Sequence, residues 1–242
     1  MNIVLTGASG GIGYYTALSF LKDESNHVFV ISRNAKKLES LRTASEDVNS
    51  KGKLSIFRGD LKEKQDINNF IKEIEGRVSA IDILVNNAGE LINKPFEEIE
   101  QSDWENLYAT NVFGAVAMIR SLLPLLTAAK LKSYGKRSHI VNIGSIGGLG
   151  GTLKFSGLSA YSSSKGALSI LTECLAEEFS ERKIAVNGMA LGSVQTEMFS
   201  KAFPGMKASA DVRQMAAHIA EFAIGGAAFY NGKNLQVSNS TP

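Results

Sequence analysis

Cysteine and net charge are both scarce in this sequence. Cys174 is the single cysteine among 242 residues, which excludes an intrachain disulfide and favours a reducing compartment. We expect its thiol to be buried in a helix as packing material, because no histidine stands near it in the sequence. Lys and Arg number 26 against 24 Asp and Glu, and a net charge of +2 argues against nucleic-acid and membrane-surface partners.

Histidine is also scarce, and the few histidines are scattered. The sequence contains three of them, at His27, His139 and His218. Their separations do not match the spacing of metal ligands, so we predict no bound metal. We expect all of these side chains on the surfaces of strands and helices.

Long apolar runs are lacking as well. The longest, residues 114–129, is interrupted by Arg120 and Pro124, which argues against a membrane span. Met1 leads directly into a short apolar run without the basic region and the apolar length of a signal peptide. We therefore expect a cytoplasmic protein.

What the sequence does have is a regular alternation of short and long patterns. Short runs rich in Val and Ile predict strands at residues 2–6, 27–32, 53–58, 82–87, 138–144, 184–190 and 234–237. Helical patterns occupy residues 12–22, 35–47, 63–79, 104–130, 159–181 and 211–224. This alternation is typical of an α/β fold, a doubly wound parallel seven-stranded sheet with helices on both faces. We predict a single domain over residues 1–242, interrupted only by loops at 147–157 and 191–210, which we assign to the substrate.

A glycine-rich turn, TGASGGIG at residues 6–13, follows the first predicted strand and opens the first helix. Glycines at 7, 11 and 13 permit a tight turn and the close approach of a pyrophosphate, which a helix N-terminus stabilises. A tight strand-to-helix turn without a ligand is the alternative. The same letters contain the G-x-S-x-G of a hydrolase nucleophile elbow around Ser9, but only six residues precede its first glycine, Gly7, and that fold needs earlier strands.

The second predicted strand ends in Ser32 and Arg33. Sites for NAD often carry an acidic residue near this point, to bind the ribose 2′-hydroxyl. A guanidinium can instead pair with a 2′-phosphate through charge-assisted hydrogen bonds. The sequence therefore favours NADP(H) over NAD(H), with a surface role for Arg33 as the alternative.

The segment YSSSK carries a phenol and an ammonium four residues apart, at Tyr161 and Lys165. On a helix these positions share one face. A nearby cation lowers a tyrosine pKa from about 10 by roughly 1–3 units, towards the range of a general acid/base. Two alternatives compete: an exposed helix turn, and the S-x-x-K nucleophile motif at Ser162, which lacks the S-D-N and K-T-G segments that accompany it.

Taken in order, TGASGGIG, NNAG at residues 86–89, Asn111, Ser145 and YSSSK give the chain its family resemblance. It resembles the short-chain dehydrogenase/reductase family over nearly its whole length, and within it the 3-oxoacyl-[acyl-carrier-protein] reductases. The resemblance implies a Rossmann-type dinucleotide-binding and catalytic domain, often a homotetramer. It also implies a catalytic tetrad of Asn111, Ser145, Tyr161 and Lys165.

The same resemblance implies the cofactor contacts. Asp60 and the Leu61 backbone would meet the adenine, NNAG would support the sheet beside the cofactor, and Thr196 would hold the nicotinamide carboxamide. The full set of implied cofactor-binding residues is Gly7, Ser9, Gly11, Ile12, Gly13, Ser32, Arg33, Asp60, Leu61, Asn87, Ala88, Gly89, Tyr161, Lys165, Gly192, Val194 and Thr196.

The sequence also departs from the family pattern. Leu191 replaces the usual proline, Gly10 stands where many NADP-binding members have a basic residue, the 147–157 loop is longer, and SNSTP replaces a C-terminal Gly-Gly. We predict an NADP(H)-dependent oxidoreductase, a homotetramer or homodimer, that moves a hydride between the nicotinamide and a small carbonyl or alcohol, such as a 3-oxoacyl thioester. A nucleotide sensor or scaffold without turnover is the alternative function.

Overall fold

The computed structural model describes residues 1–47 and 51–239, and its centre is a seven-stranded sheet. The strands are β1 Asn2–Thr6, β2 His27–Ser32, β3 Lys53–Arg58, β4 Ile83–Asn86, β5 Ser138–Ser145, β6 Ile184–Leu191 and β7 Asn234–Val237. They pair in parallel in the order β3-β2-β1-β4-β5-β6-β7. The predicted doubly wound sheet is confirmed, and strand ends shift by no more than one residue.

Helices connect the strands and cover the sheet. They are α1 Gly11–Phe20, α2 Ala35–Asp47, α3 Lys64–Glu75, α4 Gln101–Tyr108, α5 Gly114–Ala128, α6 Ser159–Glu178, α7 Glu197–Ala202 and α8 Val212–Gly225. The predicted helix 104–130 is divided by a π-helical turn at Ala109–Phe113. The sequence pattern missed α7, because a helix of six residues is too short to show a periodic apolar face.

Both faces of the sheet are buried, which explains why its strands read as continuous apolar runs. Ile3 and Leu5 of β1 belong to a core that includes residues of α1 and α8. Val4, which points the other way, belongs to a second core with residues of α3 and α5. Successive side chains of a strand alternate between faces, so the central strands β1, β2 and β4 carry apolar residues at most positions.

The helical stretch Gln101–Ala128 is the one candidate membrane span among the described residues. The mean hydropathy of its most apolar 18-residue window is 1.5, and the stretch is long enough to cross a bilayer. Half of its most apolar window is buried inside the protein. Met118 and Leu122 of this stretch lie in the core against the sheet. Because core helices share this length and composition, a single such stretch is weak support for a span.

Two expectations about burial were wrong. Cys174 is exposed, because α6 turns Leu168, Thr172 and Ala176 towards the sheet and position 174 away from it. His139 is fully buried in β5, where its Nδ1 donates to the Ala223 carbonyl at 2.9 Å. Sequence spacing did not identify which helix face or strand position would be covered.

The C-terminal departure from the family pattern lies partly outside the described residues. Of the segment SNSTP, only Ser238 and Asn239 are described. Gly192 packs against Ser238, and the Gly192 N–H donates to the Val237 carbonyl at 2.9 Å. The end of β7 therefore supports the start of the 191–210 segment.

Candidate active site

The predicted site residues follow the carboxyl ends of neighbouring strands. In the strand order, β1 lies between β2 and β4. The chain first adds β2 and β3 on one side of β1 and then adds β4 to β7 on the other side, so the strand order reverses at β1. Ligands of open parallel sheets bind at such a reversal, beyond the carboxyl ends of the strands. The glycine turn follows β1, Arg33 follows β2, and NNAG includes the end of β4.

The glycine turn is locked to NNAG by close backbone contacts. Gly7 has a φ of 73°, and a Cβ there would lie 2.7 Å from the Ala88 Cα. A Cβ on Gly13 would overlap the Asn87 amide and the Gly7 carbonyl. The Thr6 hydroxyl accepts from the N–H groups of Asn87 and Ala88 at 3.1 and 3.0 Å. Glycine at 7 and 13 is therefore required by the packing itself.

The opening of α1 suits an anion. Within the part of the chain that the structure describes, no side chain caps its N-terminus, and its first turn carries no acidic residue. Gly11, with a φ of 54°, begins the helix, and Ile12 follows in its first turn. The free N–H groups and the helix dipole favour negative charge here. The loop thus fits the pyrophosphate of a dinucleotide.

At the end of β2, two predicted cofactor residues hydrogen-bond each other, and a third already forms an ion pair within the protein. Ser32 Oγ donates to Ser9 Oγ at 2.8 Å, which ties the second strand to the glycine turn. Arg33 Nη1 lies 2.7 Å from Glu90 Oε1 and 4.0 Å from Asp60 Oδ2. The guanidinium expected to meet a 2′-phosphate therefore already has a carboxylate partner.

The predicted adenine contacts lie beside this ion pair. Asp60 Oδ1 accepts from the Lys62 N–H at 3.0 Å, and the Asp60 N–H donates to Asp66 at 2.8 Å. Leu61 packs against Gly114, where a Cβ would lie 3.0 Å from the Leu61 Cβ. Asp60 thus shapes the turn after β3 in addition to facing Arg33.

The remaining predicted cofactor residues lie between β6 and α7. Val194 is buried and pairs as an isolated bridge with Ala210. Thr196 is the N-cap of α7, where its Oγ1 accepts from the Phe199 N–H at 3.1 Å. The Thr196 methyl lies 3.4 Å from the position of a Cβ on Gly11. This contact places the start of α7 over the glycine turn.

Two glycines bring the end of β5 against α6. A Cβ on Gly148 would lie 2.7 Å from the carbonyl carbon of Lys165, so only glycine allows the loop to rest on the helix backbone. A Cβ on Gly147 would lie 3.0 Å from Ser162 Oγ. The Gly147 N–H donates to Ser145 Oγ at 3.3 Å, and Ser145 hydrogen-bonds Tyr161. The loop thus brings Ser145 and Tyr161 together.

Tyr161 and Lys165 share one face of α6, as their spacing predicted. Lys165 is 4% exposed, and burial lowers its pKa to about 8. Its Nζ donates to the Ile143 carbonyl at 2.8 Å and lies 6.0 Å from the centre of the Tyr161 ring. Burial raises the Tyr161 pKa, and the Ser145 hydrogen bond opposes this shift. The expected net lowering is wrong here, because desolvation of the phenolate dominates.

Asn111 lies in the π-helical turn and is buried beside Lys165. Its Oδ1 accepts from the Glu90 N–H at 2.8 Å, and its Nδ2 donates to the Glu90 carbonyl and to Ser164 Oγ, both at 3.0 Å. A Cβ on Gly89 would lie 3.3 Å from both Asn111 Oδ1 and Lys165 Nζ. Glycine at 89 therefore leaves open the space that these two polar groups border.

Two residues of the site were not identified from the sequence. Ser164 is buried, accepts from Asn111 and donates to the Tyr161 carbonyl at 2.7 Å, which joins the π-helical turn to α6. Glu90 holds Asn111 through its backbone and Arg33 through its carboxylate. Neither residue has a local sequence signal, because each acts through partners distant in the chain.

A cavity of about 450 Å³ opens between the segment after β4 and α7. The Asn93 side-chain amide donates to the Ala202 carbonyl at 2.7 Å and bridges the two walls. Arg33, Gly89, Glu90, Leu91, Met198 and Lys201 are among its lining residues. The cavity therefore extends from Arg33 to Gly89, and Asn111 and Lys165 lie beside Gly89. We call this space, bordered by the glycine turn, the groove.

Comparisons with known proteins agree with this geometry. A family model described as short chain dehydrogenase matches residues 1–207. The chain is 33% identical over 199 residues to a fatty acyl-CoA reductase of Acinetobacter baylyi, covering 81% of this chain and 63% of that protein. It is 30% identical over 213 residues to an NADP-dependent 3-hydroxy acid dehydrogenase of Schizosaccharomyces pombe, covering 86% and 77%. The crystal structure of a dehydrogenase/reductase from Sinorhizobium meliloti has a TM-score of 0.84 at 26% identity, covering 98% and 92%.

The chain spans less than two thirds of the length of the Acinetobacter protein, and the two named relatives act on different substrates. Fold, family model and relatives nevertheless agree on the reaction class. The chain belongs to the short-chain dehydrogenase/reductase family, NAD(P)-dependent oxidoreductases that act on CH–OH and C=O groups.

Proposed function

We propose that this protein is an NADP(H)-dependent reductase of a carbonyl compound, and that its substrate is a 3-oxoacyl thioester. The observation that carries the proposal is the contact of Ser145 with Tyr161, beside the buried ammonium of Lys165. A hydroxyl, a phenol and an ammonium in one cluster can polarise a carbonyl oxygen and protonate it.

When bound, the nicotinamide supplies the hydride that reaches the carbonyl carbon. Ser145 donates a hydrogen bond to the carbonyl oxygen, and Tyr161 gives that oxygen its proton. Lys165, charged below about pH 8, stabilises the phenolate that remains. Asn111 fixes the Glu90 backbone and, through Ser164, the first turn of α6, and so positions this cluster.

The preference for NADP(H) rests on Ser32 and Arg33 at the end of β2. A guanidinium there suits a 2′-phosphate, and the related Schizosaccharomyces enzyme is named as NADP-dependent. Lys37, in the first turn of α2, adds a second positive charge four residues after Arg33, although its Nζ pairs with Glu197 at 2.6 Å.

The choice of substrate rests on apolar side chains in the cavity and in the two predicted substrate loops. Leu153 and Phe155, in the loop between Ser145 and α6, are 56% and 53% exposed. Met198 of α7 lines the cavity, and Met206 beyond it is exposed. Apolar side chains of this kind suit an acyl chain better than a sugar. One relative is named for a fatty acyl thioester and the other for a 3-hydroxy acid, the reduced form of a 3-oxo acid.

Assembly and location complete the proposal. Phe113 and Val116 at the start of α5, and Ile170 on α6, are exposed. We expect these side chains to be covered in a cytoplasmic homotetramer, or in a homodimer. Light scattering on the wild type and on Ile170→Glu tests this: the wild type should be oligomeric and the variant smaller. A monomeric wild type at micromolar concentration would contradict it.

The function is tested by following NADPH oxidation against a panel of carbonyl compounds. The panel contains a 3-oxoacyl thioester, a fatty acyl thioester, a simple ketone and a ketose. We expect the highest kcat/KM with the 3-oxoacyl thioester. Equal or higher kcat/KM with the ketose would contradict the proposed substrate, and NADPH binding without turnover on any compound would favour a sensor.

The cofactor is tested separately by kcat/KM with NADPH and NADH. Charge-assisted hydrogen bonds predict a preference for NADPH of about tenfold. Arg33→Ala should reduce this ratio, and Ser32→Asp should reverse it, because a carboxylate repels the 2′-phosphate and accepts from a ribose hydroxyl. A wild type that prefers NADH would show that Arg33 is only a surface residue.

A further inference from the structure

The inference concerns the ion pair between Arg33 and Glu90 and rests on the proposed use of NADP(H). The two residues follow β2 and β4, which are separated by β1. Adjacent strands lie about 4.8 Å apart, so the pair spans about 10 Å across the carboxyl end of β1. The glycine turn leaves the sheet there, so the ion pair crosses the groove that this turn borders.

The Glu90 carboxylate is held in this position by its own backbone. The Asn111 side chain contacts both the N–H and the carbonyl of Glu90, at 2.8 and 3.0 Å. Asn111 is 1% exposed, and Ser164 anchors it in turn. Glu90 therefore stands on a buried support, whereas Arg33 sits on a surface loop and its side chain is 55% exposed.

The charges around Arg33 disfavour the binding of an anion. Arg33 Nη1 has Glu90 at 2.7 Å and Asp60 at 4.0 Å, so one positive charge faces two negative charges. An arriving 2′-phosphate must compete with Glu90 for the guanidinium and meets the repulsion of both carboxylates. A ribose hydroxyl carries no charge and meets neither obstacle.

We propose that Glu90 is a specificity-determining residue whose carboxylate competes with the cofactor 2′-phosphate for Arg33 and narrows the preference for NADP(H). The Glu90 carboxylate limits discrimination between NADP(H) and NAD(H) at the end of the groove that holds the adenosine ribose. The Glu90 backbone holds Asn111 at the catalytic end. One residue thus links the two ends of the groove.

The test is equilibrium binding of two nucleotides that differ only in the 2′-phosphate, adenosine 2′,5′-bisphosphate and adenosine 5′-phosphate. Calorimetry on the wild type and on Glu90→Gln gives the ratio of the two Kd values without turnover. Glutamine keeps the size of the side chain and removes its charge. Because the ion pair is partly exposed, we expect the ratio to rise about three- to tenfold in favour of the bisphosphate.

A double-mutant cycle identifies the mechanism. In an Arg33→Ala background, Glu90→Gln should raise the ratio of the two Kd values by less than it does in the wild type, because no guanidinium is left to compete for. Glu181→Gln removes an exposed charge in the turn before β6, at the opposite end of the sheet; it is the matched control and should leave the ratio of the two Kd values unchanged.

Three results would overturn the inference. They are an unchanged or lower ratio in Glu90→Gln, an equal rise in Glu181→Gln, and an equal rise without Arg33. Failure of the proposed function looks different. In that case NADPH does not bind to the wild type, whereas failure of this inference leaves NADPH binding intact and the ratio insensitive to Glu90.

Discussion

The side-chain amide of Asn111 makes two hydrogen bonds to the backbone of Glu90. Its Oδ1 accepts from the Glu90 N–H at 2.8 Å, and its Nδ2 donates to the Glu90 carbonyl at 3.0 Å. The contact joins the π-helical turn to the segment after β4. Because Asn111 is buried, removal of its amide would leave backbone groups without a partner in a site with little access to water.

The first prediction concerns the stability of this contact. Asn111→Ala should lower the free energy of unfolding by about 1–3 kcal/mol per unsatisfied group. Asn111→Asp should also destabilise, because a carboxylate accepts from the Glu90 N–H but repels its carbonyl. Urea unfolding of the three proteins measures this, and an Ala variant as stable as the wild type would show that the contact is not needed for the fold.

The second prediction concerns the phenol. Tyr161→Phe should lower kcat by about 10²–10⁴-fold, the usual contribution of general acid catalysis, while the Kd for NADPH changes little. Ser162→Ala is the control, since that side chain belongs to the competing S-x-x-K interpretation, and we expect its kcat within a few-fold of the wild type. Loss of activity in Ser162→Ala with activity retained in Tyr161→Phe would reverse the assignment.

The third prediction concerns the pH dependence of reduction. Burial lowers the Lys165 pKa to about 8, so its ammonium is charged below that pH and neutral above it. Because the charge stabilises the developing phenolate of Tyr161, kcat/KM for reduction should fall as the pH rises through about 8. Lys165→Met should have low activity at every pH. A wild-type profile that is flat from pH 7 to 10 would contradict this role.

The fourth prediction concerns the missing basic residue of the glycine turn. Gly10 has a φ of 176°, which any residue adopts, and a Cβ there would have no described atom within 4 Å. Gly10→Arg should therefore fold normally and raise the preference for NADPH by about tenfold, the effect of one charge-assisted contact. Gly10→Gln is the uncharged control. An equal effect of both variants on the ratio of kcat/KM values would exclude a phosphate contact.

The fifth prediction concerns acid stability. Burial lowers the His139 pKa from 6.5 to about 4. The unfolded chain therefore binds this proton at a higher pH than the folded protein does. The corresponding stability is present above pH 6.5 and is lost as the pH falls towards 4, by up to about 3 kcal/mol at about 1.4 kcal/mol per pKa unit.

Urea unfolding between pH 7.5 and 4 measures this loss. His139→Gln should reduce the slope of unfolding free energy against pH, whatever its effect on stability at neutral pH. His27 has a similarly lowered pKa of about 4, so His27→Gln should remove a separate part of the slope. An unchanged slope in the His139 variant would show that this residue does not control the acid transition.

The sequence by itself determined the sheet, the glycine turn and the order of the motifs. Strands buried on both faces carry apolar residues at most positions, and this leaves a local signal that survives without any knowledge of packing. The spacing of Tyr161 and Lys165 likewise determined that they share a helix face. These features depend on residues that are neighbours in the chain.

Tertiary structure alone decided the contacts between distant residues. The pairing of Arg33 with Glu90, the anchoring of Asn111 by Ser164 and the burial of His139 each join segments far apart in sequence. The exposure of Cys174 depends on which face of α6 meets the sheet. Burial and charge pairing are properties of the packed chain, so the pKa values of the site and the partner of Arg33 had to be read from the fold.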